Sequence, residues 1–367
     1  MTRQIGIAII GSGYWGINYI RVFEELAGAR VVVVCDQDSN RLQEVGRRFP
    51  NVKLVDGVDG VIQDDDVEAV VICTQAKFHH ALARRCIEAG KHVLVEKPIT
   101  TTVDDAEDLI NLASAKNTKL MVGYTFVYNA GIRKMKSFVS ESLVGQVYYL
   151  YARRTNLGPI RRDVNALWDL APHDISIFNF LLDSVPEWVS AVGVKALGNG
   201  REDVGFVSLG YPNGVVGHIH VSWADPNKVR EVVVVGSDRR IVFDDLNALE
   251  RVKIYEKGVT STSDEATNYG EFQIEMRDGD IISPKVEISE PLKTQCTHFL
   301  ECISNNRLPL TDGQAGKEVV QVMEAIDYSL QHNGAPVRVG LEKPQLLDNS
   351  SVIAHYSSQL STVEQGA

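Results

Sequence analysis

The chain has 367 residues, enough for two ordinary domains with sizeable cores, and at 44% hydrophobic and 23% charged it has the composition of a folded globular protein. A formal net charge of -11 argues against nonspecific nucleic-acid binding, which needs a basic face to neutralise phosphates. No apolar run approaches the roughly 20 residues of a membrane-spanning helix. The opening MTRQIGIAII runs straight into a strand pattern without a signal-peptide cleavage region, so a soluble, intracellular protein with no membrane partner is expected. Cys35, Cys73, Cys86, Cys296 and Cys302 form no C-x-x-C pair and are expected to be small buried residues in a reducing compartment.

The first predicted element is the β-branched run IGIAII, followed at once by GSGYWG, which spaces Gly11, Gly13 and Gly16 as G-x-G-x-x-G. INYIRVFEELAG then suits a packed helix closed by Gly28, and RVVVVCDQD a strand ending at Asp36. Each part has a task in a dinucleotide site. Gly11 permits the tight turn, Gly13 lets the backbone approach a pyrophosphate, and Gly16 lets helix and strand pack closely. Ser12, Tyr14 and Trp15 fill the variable positions of that loop and count among the cofactor contacts. The helix N-terminus offers N–H groups and a positive dipole end to phosphates. Asp36 follows Gly16 by about 20 residues, where an acid accepts from the adenosine ribose hydroxyls and repels a 2′-phosphate. NAD is the expected cofactor, although Arg41 close by weakens the discrimination against NADP.

The alternation continues with a strand VEAVVICT, a helix FHHALARRCIEAG closed by Gly90, and a strand KHVLVE. A helix over TTVDDAEDLINLASAKN with Thr101 or Thr102 as N-cap follows, then a strand KLMVGYT. This predicts a parallel sheet with right-handed crossovers over residues 1–124, an α/β Rossmann domain. Ligands bind at the carboxyl ends of such strands, where Thr74, Glu96 and Lys97 fall, beside the nicotinamide half of the cofactor. A buried strand gains little from ending on the charges of Glu96 and Lys97, and Pro98 cannot donate to a ladder, so HVLVEKP reads as a cation held in a fixed place.

Beyond Thr125 a helix NAGIRKMKSFVSES is predicted, and then strands dominate: QVYYLYARR, EWVSAVGV, DVGFVSLGY, GVVGHIHVSW, REVVVVG, RRIVFDD and ERVKIYE. Helices near 291–305 and 313–331 and a strand PVRV complete an α+β domain over 125–344 with a large, mostly antiparallel open sheet, leaving 345–367 as a polar tail. Between the strands, RRTNLGPIRRDVNALWDLAPHDISIFNFLLD carries Arg153, Arg154, Arg161 and Arg162 in a loop, then Asn165, Trp168, Asp169 and His173. A helix is expected to begin near Asp169 or Pro172, and Asp169 and His173, four apart, share a face of a continuous helix. The arginines suit a diphosphate or carboxylate ligand, or else ion pairs with Asp163, Asp169 or Asp174. His218 and His220 share a strand face, but with no third ligand nearby they are read as structural or substrate-lining, and no metal is expected. SWADPNK could form a loop over the site, with Trp223 and Lys228 as weak candidates.

With these residues in view the chain resembles the Gfo/Idh/MocA family of NAD(P)-dependent sugar oxidoreductases. The resemblance extends to about residue 340 and rests on GSGYWG, GKHVLVEKP, GYTFVYN and WDLAPHDISI. GYWG, APHDIS and EPLKTQCTHFLECI are similar to the branch of that family that oxidises UDP-N-acetylglucosamine or its uronic acid at position 3. The resemblance implies that Lys97, often followed by a cis-proline, orients and polarises the substrate. His173 would exchange the hydroxyl proton, and Asp169 would position substrate or histidine. Tyr124, Phe126 and Asn129 lie on a segment that lines the site in relatives, and Arg154, Arg161, Asn165 and Trp168 join His173 as expected substrate contacts. His79 matches the last position of the family's T-P-N-x-x-H as a cofactor contact, while Gln75 and Ala76 depart from that pattern. A sugar-nucleotide substrate and a homodimer or homotetramer built on the open sheet are implied too. The alternatives are a dehydrogenase of a free polyol or sugar such as inositol, and a non-catalytic nucleotide sensor.

Overall fold

Short apolar runs rich in β-branched residues, repeated with helices between, build the first sheet. The computed structural model describes residues 3–158, 160–161, 163–261, 274–341 and 344–347. In chain order β1 (Ile5–Ile10), α1 (Tyr14–Glu25), β2 (Ala29–Cys35), α2 (Ser39–Arg48), β3 (Lys53–Val55) and α3 (Asp59–Ile62) come first. They are followed by β4 (Ala69–Ile72), α4 (His79–Glu88), β5 (His92–Glu96), α5 (Val103–Ala115) and β6 (Leu120–Gly123). The strands pair in parallel in the order β3-β2-β1-β4-β5-β6, so the winding reverses between β1 and β4, where open α/β sheets bind their ligands. Every residue of β1 and of β4 is buried, which is why both read as unbroken apolar runs. Thr102 caps α5, its hydroxyl accepting from Asp105 N–H, ahead of acidic Asp104 and Asp105 at the positive dipole end.

The next elements are α6 (Ala130–Ser140), β7 (Val147–Leu157), α7 (Ala166–Leu182), β8 (Trp188–Val194), β9 (Val204–Gly210) and β10 (Val216–Ser222). After them come β11 (Ala224–Gly236), β12 (Arg240–Asp244), β13 (Val252–Tyr255), β14 (Gly258–Ser261), β15 (Ile274–Arg277) and β16 (Ile281–Ile282). Helices α8 (Pro291–Ser304) and α9 (Gly313–Gln331) and short strands β17 (Val337–Arg338) and β18 (Gln345–Leu346) end the described chain. Ten strands form one sheet in the order β16-β13-β12-β11-β7-β10-β9-β8-β17-β18, antiparallel throughout except where β7 and β10 run parallel. On β7 the inward set Leu150, Ala152 and Arg154 is buried, while Tyr149 is 46% exposed on the other face, the period-2 alternation of a sheet covered on one side.

The chain forms two compact units, and the first is discontinuous: Met1–Asn129 with Ser289–Gln321, against Ala130–Ile288 with Val322–Ala367. Helix α8 therefore belongs with the nucleotide sheet, packing on α1 through Arg21–Glu290 and Lys293–Glu25 ion pairs. Its sequence gives an amphipathic helix but no sign of which sheet it serves. Three local expectations are revised. Helix α7 starts at Ala166, earlier than Asp169, because the Asn165 side chain caps it by accepting from Trp168 N–H. SWADPNK is no free loop: residues from Ala224 belong to β11, with a register break between Ala224 and Val229. Gln345–Leu346 pair with β17, so the polar tail starts later, and residues 348–367 lie outside the described residues.

Two glycines are obligatory at the turn after β1. Gly11 has φ of +92°, the left-handed region, and a Cβ on Gly16 would stand 1.9 Å from the Gly11 carbonyl oxygen. Backbone cannot move aside there as a flexible side chain would. Gly16→Ala is therefore expected to destabilise the protein by about 1–3 kcal/mol, the usual cost of overpacking, read as a lower urea midpoint at unchanged m.

Candidate active site

In the first unit the glycine loop leaves room for a ligand. Around the missing Cβ of Gly13 the nearest atom is Arg41 Nη1 at 3.7 Å, and no side chain caps the α1 N-terminus. Asp36 is anchored at the loop edge: its Oδ2 accepts from Ser12 N–H at 2.7 Å and Ser12 Oγ–H at 2.8 Å, and its Oδ1 from Asp38 N–H at 2.9 Å. Burial opposes its charge, but these bonds and the Arg41 guanidinium outweigh it and hold the carboxyl below the ordinary range. Tyr14 and Trp15 stand exposed at the start of α1 with rings edge to face. Main-chain donors at a helix start, a backbone free of side chains and a fixed acid are what NAD needs, so the residues present fit it.

At the end of β5, Glu96 is 7% exposed, and the Lys97–Pro98 peptide is cis. Glu96 Oε1 accepts from Tyr19 O–H at 2.8 Å, and Oε2 from the Lys97 N–H at 3.2 Å. His79, expected as a cofactor contact, is 1% exposed and lies between two carbonyls, Pro98 O at 2.7 Å from Nδ1 and Thr74 O at 3.1 Å from Nε2. Both side chains thus hold main chain around Lys97. Tyr124 and Asn129 are buried and Phe126 partly so; the Tyr124 hydroxyl is buried with no hydrogen-bond partner among the described residues, and burial and Glu318 raise its pKa.

In the second unit α7 carries the other candidates. Asp169 and His173 sit one turn apart in a continuous helix, as the spacing predicts. Asp169 is gripped from both sides: Arg161 Nη1–H donates to Oδ1 at 3.2 Å and the Trp223 indole N–H to Oδ2 at 3.3 Å. The His173 ring is partly exposed, with Nδ1 on its buried side. Pro172 lies inside the helix and has no N–H to offer the Trp168 carbonyl. Asn165 and Trp168 are tied inward as well: Asn165 Nδ2–H donates to Glu202 at 3.0 Å and the Trp168 indole to Asp327 at 2.8 Å.

The arginines divide. Arg154, 5% exposed, makes a buried forked pair with Asp174, its Nη2–Oδ1 distance being 2.7 Å. Arg161 bonds Asp163 as well as Asp169, Arg153 is exposed on the opposite face of the sheet, and Arg162 lies outside the described residues. His218 and His220 flank the Phe206 ring, His220 stacking at 4.4 Å. Among the described residues no group of three His, Cys, Asp or Glu is placed to hold a metal, and no helix is long and apolar enough to cross a membrane.

Two family models match this architecture: an oxidoreductase family with an NAD-binding Rossmann fold over residues 5–124, and the GFO/IDH/MocA C-terminal domain over 132–242. The chain belongs to the Gfo/Idh/MocA family. The first unit is accordingly an NAD-binding Rossmann domain, and the protein an NAD-dependent oxidoreductase. It is 26% identical over 339 residues to UDP-N-acetylglucosamine 3-dehydrogenase of Acidithiobacillus ferrooxidans, covering 88% of this chain and 97% of that one. It is 33% identical over 199 residues to an inositol 2-dehydrogenase of Saccharopolyspora erythraea, a match covering 53% of this chain and 57% of that protein. A solved structure of the Acidithiobacillus ferrooxidans UDP-N-acetylglucosamine 3-dehydrogenase superimposes with a TM-score of 0.74 at 24% identity, over 90% of this chain and 98% of that one.

Within this Gfo/Idh/MocA chain, sequence reasoning missed Tyr19, Gln295, Trp223 as a holder of Asp169, and Asp327. In sequence Tyr19 and Gln295 are single polar groups on amphipathic helices, and only tertiary contacts distinguish them from ordinary core or surface residues. Asp327 yields a pH test. Burial raises its carboxyl to about 6, against the Trp168 hydrogen bond and with help from Glu202 and Glu324. Since that lies above the ordinary value of 3.8, the folded state keeps a proton that the unfolded chain releases, and stability falls as pH rises from 3.8 to about 6. Asp327→Asn keeps an acceptor for Trp168 and is expected to be more stable than the parent above about pH 6 by urea denaturation, with the difference shrinking toward about pH 4.

Proposed function

We propose that the protein oxidises a secondary hydroxyl, at position 3, of a UDP-N-acetyl-hexosamine or its uronic acid. The observation that carries the chemistry is Asp169, fixed by Arg161 and Trp223 one turn before a partly exposed His173. A histidine at that position can accept a hydroxyl proton near neutral pH, histidine's ordinary pKa being about 6.5. Lys97, whose main chain is held at the end of β5, is assigned to the alkoxide charge that develops as the proton leaves. NAD, held by the glycine turn and Asp36, would accept the carbinol hydride, so that the ketone forms together with reduced cofactor and the proton left on His173. Similarity over nearly the full length of UDP-N-acetylglucosamine 3-dehydrogenase supports the sugar nucleotide, and a cytoplasmic role in surface-polysaccharide synthesis would follow from it.

A second reading, a free sugar or polyol, is favoured by one observation: the guanidinium groups of Arg154 and Arg161 are engaged with Asp174, Asp163 and Asp169, which weakens the case for a diphosphate clamp. UDP-N-acetylglucosamine, its uronic acid, inositol and glucose supplied separately with excess NAD decide between them by absorbance of reduced nicotinamide. Turnover of a UDP-sugar alone, falling by at least about 100-fold in Lys97→Ala and in His173→Ala, supports the proposal. Turnover of only free polyols moves the assignment to the second reading. Silence with every substrate, and oxidised cofactor in denatured protein, would count against both.

We also propose that the uncovered face of the ten-stranded sheet meets a second copy of the chain. It exposes Val192 and Val194 at 51% and 52% beside Tyr149, Phe206 and the two histidines, with Arg153 opposite Glu231 in register. Both signs of charge on one apolar face suit self-pairing. Val192→Lys is expected to shift the sedimentation coefficient toward the monomer; a wild-type monomer at micromolar concentration would end the idea.

A further inference from the structure

A lysine ammonium rides on a flexible four-carbon stem, so where it acts depends on what fixes its backbone. In this protein three buried side chains converge on that task. Gln295 Nε2–H, from α8, donates to the Tyr19 hydroxyl at 2.8 Å; Tyr19, from α1, donates to Glu96 Oε1 at 2.8 Å; and Glu96 Oε2 receives the Lys97 N–H at 3.2 Å. Tyr19 and Gln295 are fully buried and Glu96 is 7% exposed. The volume is shaped for the chain of bonds: a Cβ on Gly123, the residue paired with Glu96 across β5 and β6, would come within 3.1 Å of Glu96 Oε1 and 3.2 Å of the Tyr19 oxygen. On the other side of Lys97, His79 holds the Pro98 carbonyl.

We propose that Tyr19, through Glu96 and backed by Gln295, is a positioning residue for Lys97. It rests on the assignment of Lys97 to the substrate hydroxyl made above. Neither Tyr19 nor Gln295 sits where the sequence announces a role: Tyr19 lies one turn into the helix whose start meets the cofactor, and Gln295 reaches the network from far along the chain. Their placement means that the helix carrying the phosphate-binding turn also sets the end of β5. A purely structural core would be satisfied by phenylalanine at position 19; a positioning network would not, since the Tyr19 hydroxyl that links Glu96 Oε1 to Gln295 Nε2 would be gone.

The test is the reactivity of the Lys97 amine itself. Holoenzyme and its Tyr19→Phe variant are labelled with trace acetic anhydride across a pH series, and Lys97 is read by mass spectrometry against exposed Lys116 as internal reference. The expected result is an altered Lys97 rate or a shifted pH midpoint with Lys116 unchanged, and a kcat lower by about 10-fold to 100-fold at an NAD affinity within about twofold of the parent. A Lys97 profile that superimposes on the parent's in folded Tyr19→Phe overturns the proposal. Should that variant not fold, Glu96→Leu serves: it removes the carboxylate that links the Tyr19 hydroxyl to the Lys97 N–H, and the same shift is expected, an unaltered profile in the folded variant being again fatal. Labelling needs no sugar, so a shifted profile in a protein that turns over no carbohydrate sinks the substrate assignment alone, whereas turnover with an unshifted profile sinks the positioning role alone.

Discussion

The hydrogen bond from the Tyr19 hydroxyl to the buried Glu96 carboxylate is the constraint on which the first unit depends. It gives a nearly buried acid at the end of β5 a neutral donor from another element, and hydrogen bonds to charged groups contribute more than ordinary ones. With it, helix α1 and strand β5 are held to each other at the level of individual atoms. The same helix begins at the glycine turn, where the carbonyl of Gly11 leaves no room for a side chain at Gly16. Cofactor cradle and lysine are therefore two ends of one rigid connection, and preorganisation of this kind is how a protein places charge without reorganising at the moment of reaction.

The second unit solves a similar problem with an ion pair. Arg154 on β7 and Asp174 on α7 are both nearly inaccessible, and the fork between them locks the helix that carries Asp169 and His173 onto the sheet. Such a pair contributes little net stability compared with an apolar substitute, yet removing one partner costs about 3–5 kcal/mol, so its value lies in fixing one arrangement. Asp169 is held in the same spirit by Arg161 and Trp223. Arg154 and Arg161, which look in sequence like a reservoir of positive charge for a ligand, thus serve the geometry of α7.

Much of the fold was legible. The glycine spacing, Asp36, the alternation of apolar runs with helices, and the switch to strands after Thr125 follow from local patterns whose period the backbone enforces. That Asp169 and His173 lie one turn apart on α7 was legible for the same reason, being a matter of helical spacing. Other features were hidden by distance in sequence. The start of α7 was misplaced because an asparagine cap looks like any loop asparagine until its oxygen is seen on Trp168 N–H. The motifs that hold His79 and Glu96 carry no sign of the two carbonyls that His79 meets or of the Tyr19 hydroxyl and Lys97 N–H that Glu96 receives. The arginine partners could be named from sequence but not chosen, since an ion pair and a ligand contact draw on the same residue types.

The discontinuity of the first unit has a consequence for how the chain is made. Residues 289–321 return to a sheet whose strands are complete by Gly123, and Gln295 is among them. A ribosome has to make eight of the ten strands of the second sheet before the nucleotide unit can acquire helix α8, an interval of roughly 8–35 s at ordinary elongation rates. Through that interval the face of α1 that α8 will cover is bare, and the Tyr19 hydroxyl lacks its amide donor. The nascent protein thus passes through a stage in which its phosphate-binding turn can form while its lysine strand is not yet fully secured, and the order of synthesis makes the completion of one unit wait upon the other.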